Sequence, residues 1–220
     1  MTYDAVLFDL DGTLLNTLED IASSANRMLS RRGFPTYTTF SYRQFVGEGA
    51  RVLITRALPE AHRNENLVDA CLKEFIEDYS VNCIVKSKPY DGIAKMLDAL
   101  KANGLKLAVL SNKPDSITKA CVAALLSKWD FDVVIGQRDS VPRKPDPQGA
   151  LEVAEKLAIP PSRFLFIGDT AIDMKTAVAA GMFPVGVLWG FRPIEELKGN
   201  GARAIIDEPL KLLDLLRDGE

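Results

Sequence analysis

From Ile93 onward the chain alternates short apolar runs with segments of helical periodicity, and this alternation narrows the possible folds more than any other feature. The runs Lys106–Leu110, Val133–Gly136, Phe164–Ile167 and Pro184–Leu188 have the length of strands. Between them the spacing predicts helices over Ile117–Leu126, Gln148–Leu157 and Asp173–Ala180, the last stopped by Gly181. Ahead of the first run, Ile93, Met96, Leu97 and Leu100 fall on one helical face, with Gly104 at the stop. Strands separated by helices of this length imply parallel crossovers, hence an α/β fold with a doubly wound, Rossmann-like parallel sheet. Ala5–Phe8 is a fifth apolar run, suited to a buried parallel strand near the N-terminus.

Between that first strand and Lys88 the texture is different. Leu18, Ile21, Ala25, Met28 and Leu29, and later Val68, Leu72, Phe75, Ile76 and Tyr79, recur at helical spacing. Gly33 is placed to cap the first of these helices. No strand-like run interrupts the stretch, so an all-helical insert is expected after the first strand.

Composition excludes several classes of function. A net charge of −3 spread over 220 residues offers no long-range field for nucleic acid or an anionic membrane. No apolar run reaches membrane-spanning length, and the opening residues lack a basic, cleavable leader, so a cytoplasmic protein is expected. Cys71, Cys83 and Cys121 form no CxxC pair and read as small buried residues rather than a disulfide framework or zinc site. The only histidine, His62, lies in a polar stretch and reads as a solvated loop residue. Chemistry must therefore rest on carboxylates, lysine, hydroxyls and backbone.

Such groups collect at strand ends, where open α/β sheets bind ligands. The first strand runs into Asp9-Leu10-Asp11-Gly12-Thr13, the next into Ser111-Asn112-Lys113, and a later one into Gly168-Asp169-Thr170, with Asp173 four positions after Asp169. A loop between the last two carries Arg143-Lys144-Pro145-Asp146. Each signal alone has a bland reading: a polar turn, a capping serine, a solvated lysine, an N-cap aspartate. Together and in this order they describe one site. Carboxylates of Asp9, Asp11 and Asp169 gathered at one sheet edge would repel unless a cation lay among them, and oxygen-only ligands point to Mg²⁺. A carboxylate can also attack phosphorus, while Ser111 and Lys144 supply a hydroxyl and an ammonium for the phosphoryl oxygens. The helix start after Ser111 could add backbone donors.

On these four motifs the chain resembles, over essentially its full length, the haloacid dehalogenase superfamily, in its phosphatase branch and closest in texture to phosphoglycolate phosphatases. The resemblance implies that Asp9 is the nucleophile and Asp11 the acid that protonates the leaving oxygen, then the base that activates water. It implies that Ser111 and Lys144 hold the phosphoryl group, with Thr13 and Asn112 beside them on the substrate side. Mg²⁺ would be bound by Asp9, the backbone carbonyl of Asp11, and Asp169, with Asp173 as a ligand or a supporting carboxylate. The implied organisation is a core of residues 1–16 and 87–220 with a mobile helical cap of residues 17–86. Hinges would fall near Leu15-Asn16-Thr17 and Lys86-Ser87-Lys88. Many relatives have Asp-Ser where this chain has Asn16-Thr17, a departure that touches the hinge more than the chemistry. In the cap, Val46-Gly47-Glu48-Gly49-Ala50-Arg51 resembles the substrate loop of phosphoglycolate phosphatases. Gly47 and Gly49 would let the backbone approach, and Arg51 would read a carboxylate; the alternative is a helix-helix turn with a solvated arginine.

The expected partner is a small phosphorylated metabolite such as 2-phosphoglycolate, and the chain is expected to be a monomer or homodimer. A β-phosphoglucomutase-like or pyrophosphatase activity shares the same motifs and stays open. Dehalogenases need no acid two residues after the nucleophile, so Asp11 speaks against that branch. Outside the superfamily, a receiver-like phosphoacceptor would need no helical insert, and a catalytically silent interaction protein would need none of the charged residues.

Overall fold

The computed structural model describes residues 3–217. In chain order the elements are β1 (Ala5–Phe8), β2 (Leu15–Asn16), α1 (Leu18–Arg31), α2 (Thr39–Tyr42), α3 (Ala50–Ala57), α4 (Glu65–Asn82) and β3 (Lys88–Pro89). There follow α5 (Ile93–Ala102), β4 (Lys106–Pro114), α6 (Asp115–Leu125), β5 (Val133–Gln137), α7 (Gln148–Leu157), β6 (Phe164–Gly168), α8 (Ala171–Ala179) and β7 (Phe183–Val187). The chain closes with α9 (Ile194–Gly199), β8 (Ala204–Ile206) and α10 (Asp214–Arg217).

Six strands form one all-parallel sheet in the order β5-β4-β1-β6-β7-β8. The order reverses at β1, so the crevice between β1 and β6 is the topological switch point at which such sheets bind ligands. Burial on both faces explains why the strands read as unbroken apolar runs. In β1, Val6 and Phe8 join one cluster with Met96, Leu100 and Ile117, while Ala5 and Leu7 join another with Ala150, Val153 and Ala177. Helices therefore cover both faces, as the alternation implied.

Most expected elements fall within two residues of their predicted ends. Two differences bear on function. β4 runs past Leu110 to Pro114, with a register shift against β5 in between, so Ser111–Lys113 extend the strand rather than open a loop. Strand β8 was not foreseen: three residues at a sheet edge, paired to β7, are too short to show a period.

The first connection holds four helices, α1 to α4, and both of its ends are strands. β2 and β3 pair antiparallel, Leu15 opposite Pro89 and Asn16 opposite Lys88. Asp20, buried in the first turn of α1, locks this double linkage: its carboxylate accepts from the backbone N–H of Lys86 and from both the N–H and hydroxyl of Ser87, at 2.7–3.0 Å. Within the insert, Arg27 and Arg31 of α1 pair with Asp78 of α4. Helix α1 ends with Gly33 at φ 72°, where the N–H of Phe34 reaches back to the carbonyl of Leu29 at 2.9 Å. That closing turn needs the left-handed conformation glycine adopts freely. The three cysteines are buried and free.

Candidate active site

Asp9 leaves the central strand at the switch point, its N–H bonded to the carbonyl of Ile167 in β6 at 2.9 Å. Its carboxylate is buried and meets the ammonium of Lys144 at 2.7 Å. The same ammonium lies 2.6 Å from Asp173. A lysine delivered from a loop needs its backbone held, and Asn112 does this. Its Oδ1 accepts from the N–H of Lys144 at 2.9 Å and its Nδ2 donates to the carbonyl of Lys144 at 3.0 Å. Asn112 thus positions this lysine. Its Nδ2 also reaches the carbonyl of Gly47 in the helical insert at 3.1 Å.

Asp169 follows β6 and is fully buried. It accepts from the N–H of Phe191 at 2.7 Å and from the hydroxyl of Thr13 at 3.4 Å. Asp173 sits in the first turn of α8, where it forms a capping box with Thr170. A ligand atom from each of Asp9, Asp169 and Asp173 lies within 4.8 Å of the others. Two glycines make room for the cluster: a Cβ on Gly12, at φ 95°, would overlap the Asp169 carboxylate, and one on Gly168 would overlap Asp173.

The electrostatics of this cluster call for a cation. Burial pushes the Asp9 carboxyl up, Lys144 pulls it back, and Asp173 and Asp11 push it up again, to about 7. Asp169 is held well above the usual carboxylate range, by burial and then by Asp173 and Asp9. Burial would lower the Lys144 ammonium, yet Asp173 and Asp9 outweigh it and the net direction is upward. One lysine does not balance three buried carboxylates. All donors are oxygen, the preference of Mg²⁺, so the residues fit that ion.

Asp11 faces a cleft between the sheet edge and the insert and is only partly buried. Its Oδ1 accepts from Lys113 Nζ at 2.8 Å and from the hydroxyl of Thr17 at 2.7 Å. Neither bond falls on Oδ2, which has no protein partner among the described residues. Lys113 is itself buried, with its ammonium 2.6 Å from the hydroxyl of Tyr79 on α4. Ser111 lines the same cleft and its Oγ accepts from the N–H of Lys113 at 3.3 Å. The opposite wall comes from the insert: Ile21, Val46, Ala50, Leu53 and Phe75, with Gly47 and Gly49 at the bend between them.

The residues anticipated from sequence are thus placed unequally. Asp9, Asp11, Ser111, Asn112, Gly47 and Gly49 line one cleft, and Lys144, Asp169 and Asp173 sit beneath it around Asp9. Thr13 is buried against Asp169 and does not line the cleft; its carbonyl accepts from Trp189 Nε1 at 2.9 Å. Arg51 does not reach the cleft either. It begins the exposed side of α3 and its guanidinium pairs with Asp69 of α4. Helical geometry is the reason, since residues two apart on a helix point to different faces and Ala50 and Leu53 take the inward one. Two polar cleft residues carry no role in the sequence reading: Lys113, which follows Ser111-Asn112, and Tyr79, which periodicity marks only as apolar.

Residues 6–187 match the sequence profile of the haloacid dehalogenase-like hydrolases. The chain is 34% identical over 217 residues to an N-acetylmuramic acid 6-phosphate phosphatase of Pseudomonas aeruginosa, covering 98% of this chain and 96% of that one. It is 34% identical over 186 residues to a phosphoglycolate phosphatase of Aquifex aeolicus, covering 84% and 85% of the two chains. A crystal structure from Lactobacillus delbrueckii subsp. bulgaricus, provisionally named a phosphoglycolate phosphatase, superposes with a TM-score of 0.91 at 32% identity, covering 98% of this chain and 99% of that one.

Proposed function

Taking as premise that the chain belongs to the haloacid dehalogenase-like hydrolases and is a phosphoric monoester hydrolase, we propose that it is a Mg²⁺-dependent phosphatase working through an aspartyl-phosphate on Asp9, with 2-phosphoglycolate as substrate. The observation that carries the mechanism is the pairing of Asp9 with Lys144 at the switch point, 2.7 Å apart, with Asp11 two residues on at the same cleft.

A carboxylate oxygen of Asp9 attacks phosphorus while the ester P–O bond breaks, and the leaving oxygen takes the proton carried by Asp11. Asp11 then removes a proton from water, whose oxygen attacks the same phosphorus and frees phosphate and the Asp9 carboxylate. Asp11 suits both steps, because its bonds to Lys113 and Thr17 fall on one oxygen and leave the other for proton transfer. Lys144 and Ser111 hold the phosphoryl oxygens as charge builds on them. Mg²⁺ would be held by Asp9, Asp169 and the carbonyl of Asp11, and when bound it supplies positive charge that keeps the carboxylates ionised and offsets the phosphate. Asp173 supports this set from beneath, since its oxygens already accept from Lys144 and Thr170.

Several relatives bear the name phosphoglycolate phosphatase, which supports that substrate. A second reading, N-acetylmuramic acid 6-phosphate, is favoured by the near full-length match to a phosphatase of that name and by the apolar wall of Ile21, Val46, Leu53 and Phe75, which suits a larger leaving group. Phosphate release from both compounds, measured with Mg²⁺ and with chelator, tests the proposal. Higher kcat/KM for 2-phosphoglycolate supports the first reading, the reverse order replaces it with the second, and turnover undiminished by chelator sinks the metal-dependent mechanism.

A further inference from the structure

Lys113 is the cleft's second buried ammonium, and the hydrolytic steps leave it without a contact to substrate. It is buried in a cleft whose opposite wall is apolar, and its ammonium is held by hydrogen bonds to a side chain of the core and a side chain of the insert. Two of its three N–H bonds are accounted for, by Asp11 at 2.8 Å and by Tyr79 at 2.6 Å. One donor remains.

The position of that donor is set by the chemistry next to it. To receive a proton, the leaving oxygen must come within roughly 2.6–3.2 Å of Asp11. Lys113 Nζ is 2.8 Å from Asp11 Oδ1, across one carboxylate from the Oδ2 left for proton transfer, so the ammonium and the leaving group share that side chain. In a phosphorylated 2-hydroxy acid the carboxylate carbon is two bonds from that oxygen. The cation anticipated for this carboxylate, Arg51, lies outside the cleft and is paired with Asp69.

We propose that Lys113, steadied by the Tyr79 hydroxyl from the helical insert, is the specificity-determining residue that reads a carboxylate next to the leaving oxygen. This rests on the phosphoglycolate reading and deepens it. Tyr79 comes from α4 and Lys113 from β4, so the recognition element is completed only when insert and sheet are in contact.

The test compares 2-phosphoglycolate with ethyl phosphate, which has the same chain length and no carboxylate, in the full-length protein with Mg²⁺. The quantity read is the ratio of their kcat/KM values, which cancels any general loss from disturbing Asp11. Wild type is expected to prefer 2-phosphoglycolate, and Lys113→Met to lower the ratio by roughly 10- to 100-fold, the value of one charged hydrogen bond. Tyr79→Phe, which preserves volume and removes only the hydroxyl, should lower it in the same direction by less, and it stands as the test should Lys113→Met fail to fold. An equal loss on both substrates in the lysine variant would show that Lys113 only positions Asp11 and would overturn the inference. So would a collapse of the ratio in Arg51→Met. If wild type shows no preference for 2-phosphoglycolate, the substrate reading falls and this inference with it. Preference kept in both lysine and tyrosine variants removes the inference alone.

Discussion

Lys144 is buried against Asp9 and Asp173, and at that depth an ion pair is held by its partners rather than by water. Removing one partner of a buried pair strands the other charge, typically at about 3–5 kcal/mol. Lys144→Ala is therefore expected to lower kcat/KM and, without divalent cation, to lower the melting temperature, with added Mg²⁺ restoring part of the loss. A melting temperature unchanged by the substitution would mean that the cluster carries no net charge in the folded protein. In the proposed mechanism Asp9→Asn removes the nucleophile and is expected to abolish turnover; measurable multiple turnover in that variant would move the chemistry to another residue. In the same mechanism Asp11→Asn keeps the shape but loses the proton shuttle, so kcat should fall by roughly 10²–10⁴-fold, read in a steady-state assay of phosphate release.

Helices and strands place these residues by a few specific bonds. Asn112, at the end of β4, clamps the backbone of Lys144 with two hydrogen bonds and touches the insert at Gly47 with a third. From the far side of the sheet, Arg192 donates to the carbonyl of Val46 at 2.9 Å and also pairs with the carbonyl of Arg43. The insert thus meets the core on both flanks of the cleft, and we read it as a cap that excludes water during the reaction. We propose that its pivot is the β2–β3 linkage, which Asp20 pins. Asp20→Ala would leave buried donors on Ser87 and Lys86 without an acceptor, at about 1–3 kcal/mol for a group so orphaned. Urea unfolding is expected to show that loss, and limited proteolysis to cut faster between Asn82 and Lys88; protection equal to wild type would place the pivot elsewhere.

For the molecule as a whole, the concentration of acid at one sheet edge ties stability to pH and cation. Asp9 titrates near 7 in the folded protein, above its ordinary carboxylate value of 3.8. The folded state therefore binds this proton where the unfolded state has released it. Stability from this group is present at low pH and is lost as pH rises through that window toward 7. A cation among the carboxylates removes the penalty. Mg²⁺ should accordingly raise the melting temperature more at pH 8 than at pH 5, as thermal unfolding by circular dichroism would register; an equal or reversed increment would show that the ion binds outside the Asp9 cluster.

The periods in the chain were enough to find five of the sheet's six strands and their parallel sense, and to bring Asp9, Ser111, Lys144 and Asp169 to one edge, because parallel strands buried on both faces are unbroken apolar runs and their polar ends stand out; the order β5-β4-β1-β6-β7-β8 came from the structure. The same logic identified the helical insert, since helices repeat at 3.6 residues whatever they later pack against. Three further things needed the tertiary structure. The short strand β8 is defined by its partner β7, with too few residues to show a period of its own. The inward or outward face of α3 depends on what covers it, so the glycines leave Arg51 open between reading a carboxylate and lying solvated at a turn, and the structure turns it toward Asp69. Lys113 and Tyr79 lie 34 positions apart, on a strand of the core and a helix of the insert, and become one donor pair only when those elements meet. Local periodicity is a property of neighbouring residues. A charge brought to a cleft by two distant elements is a property of the fold.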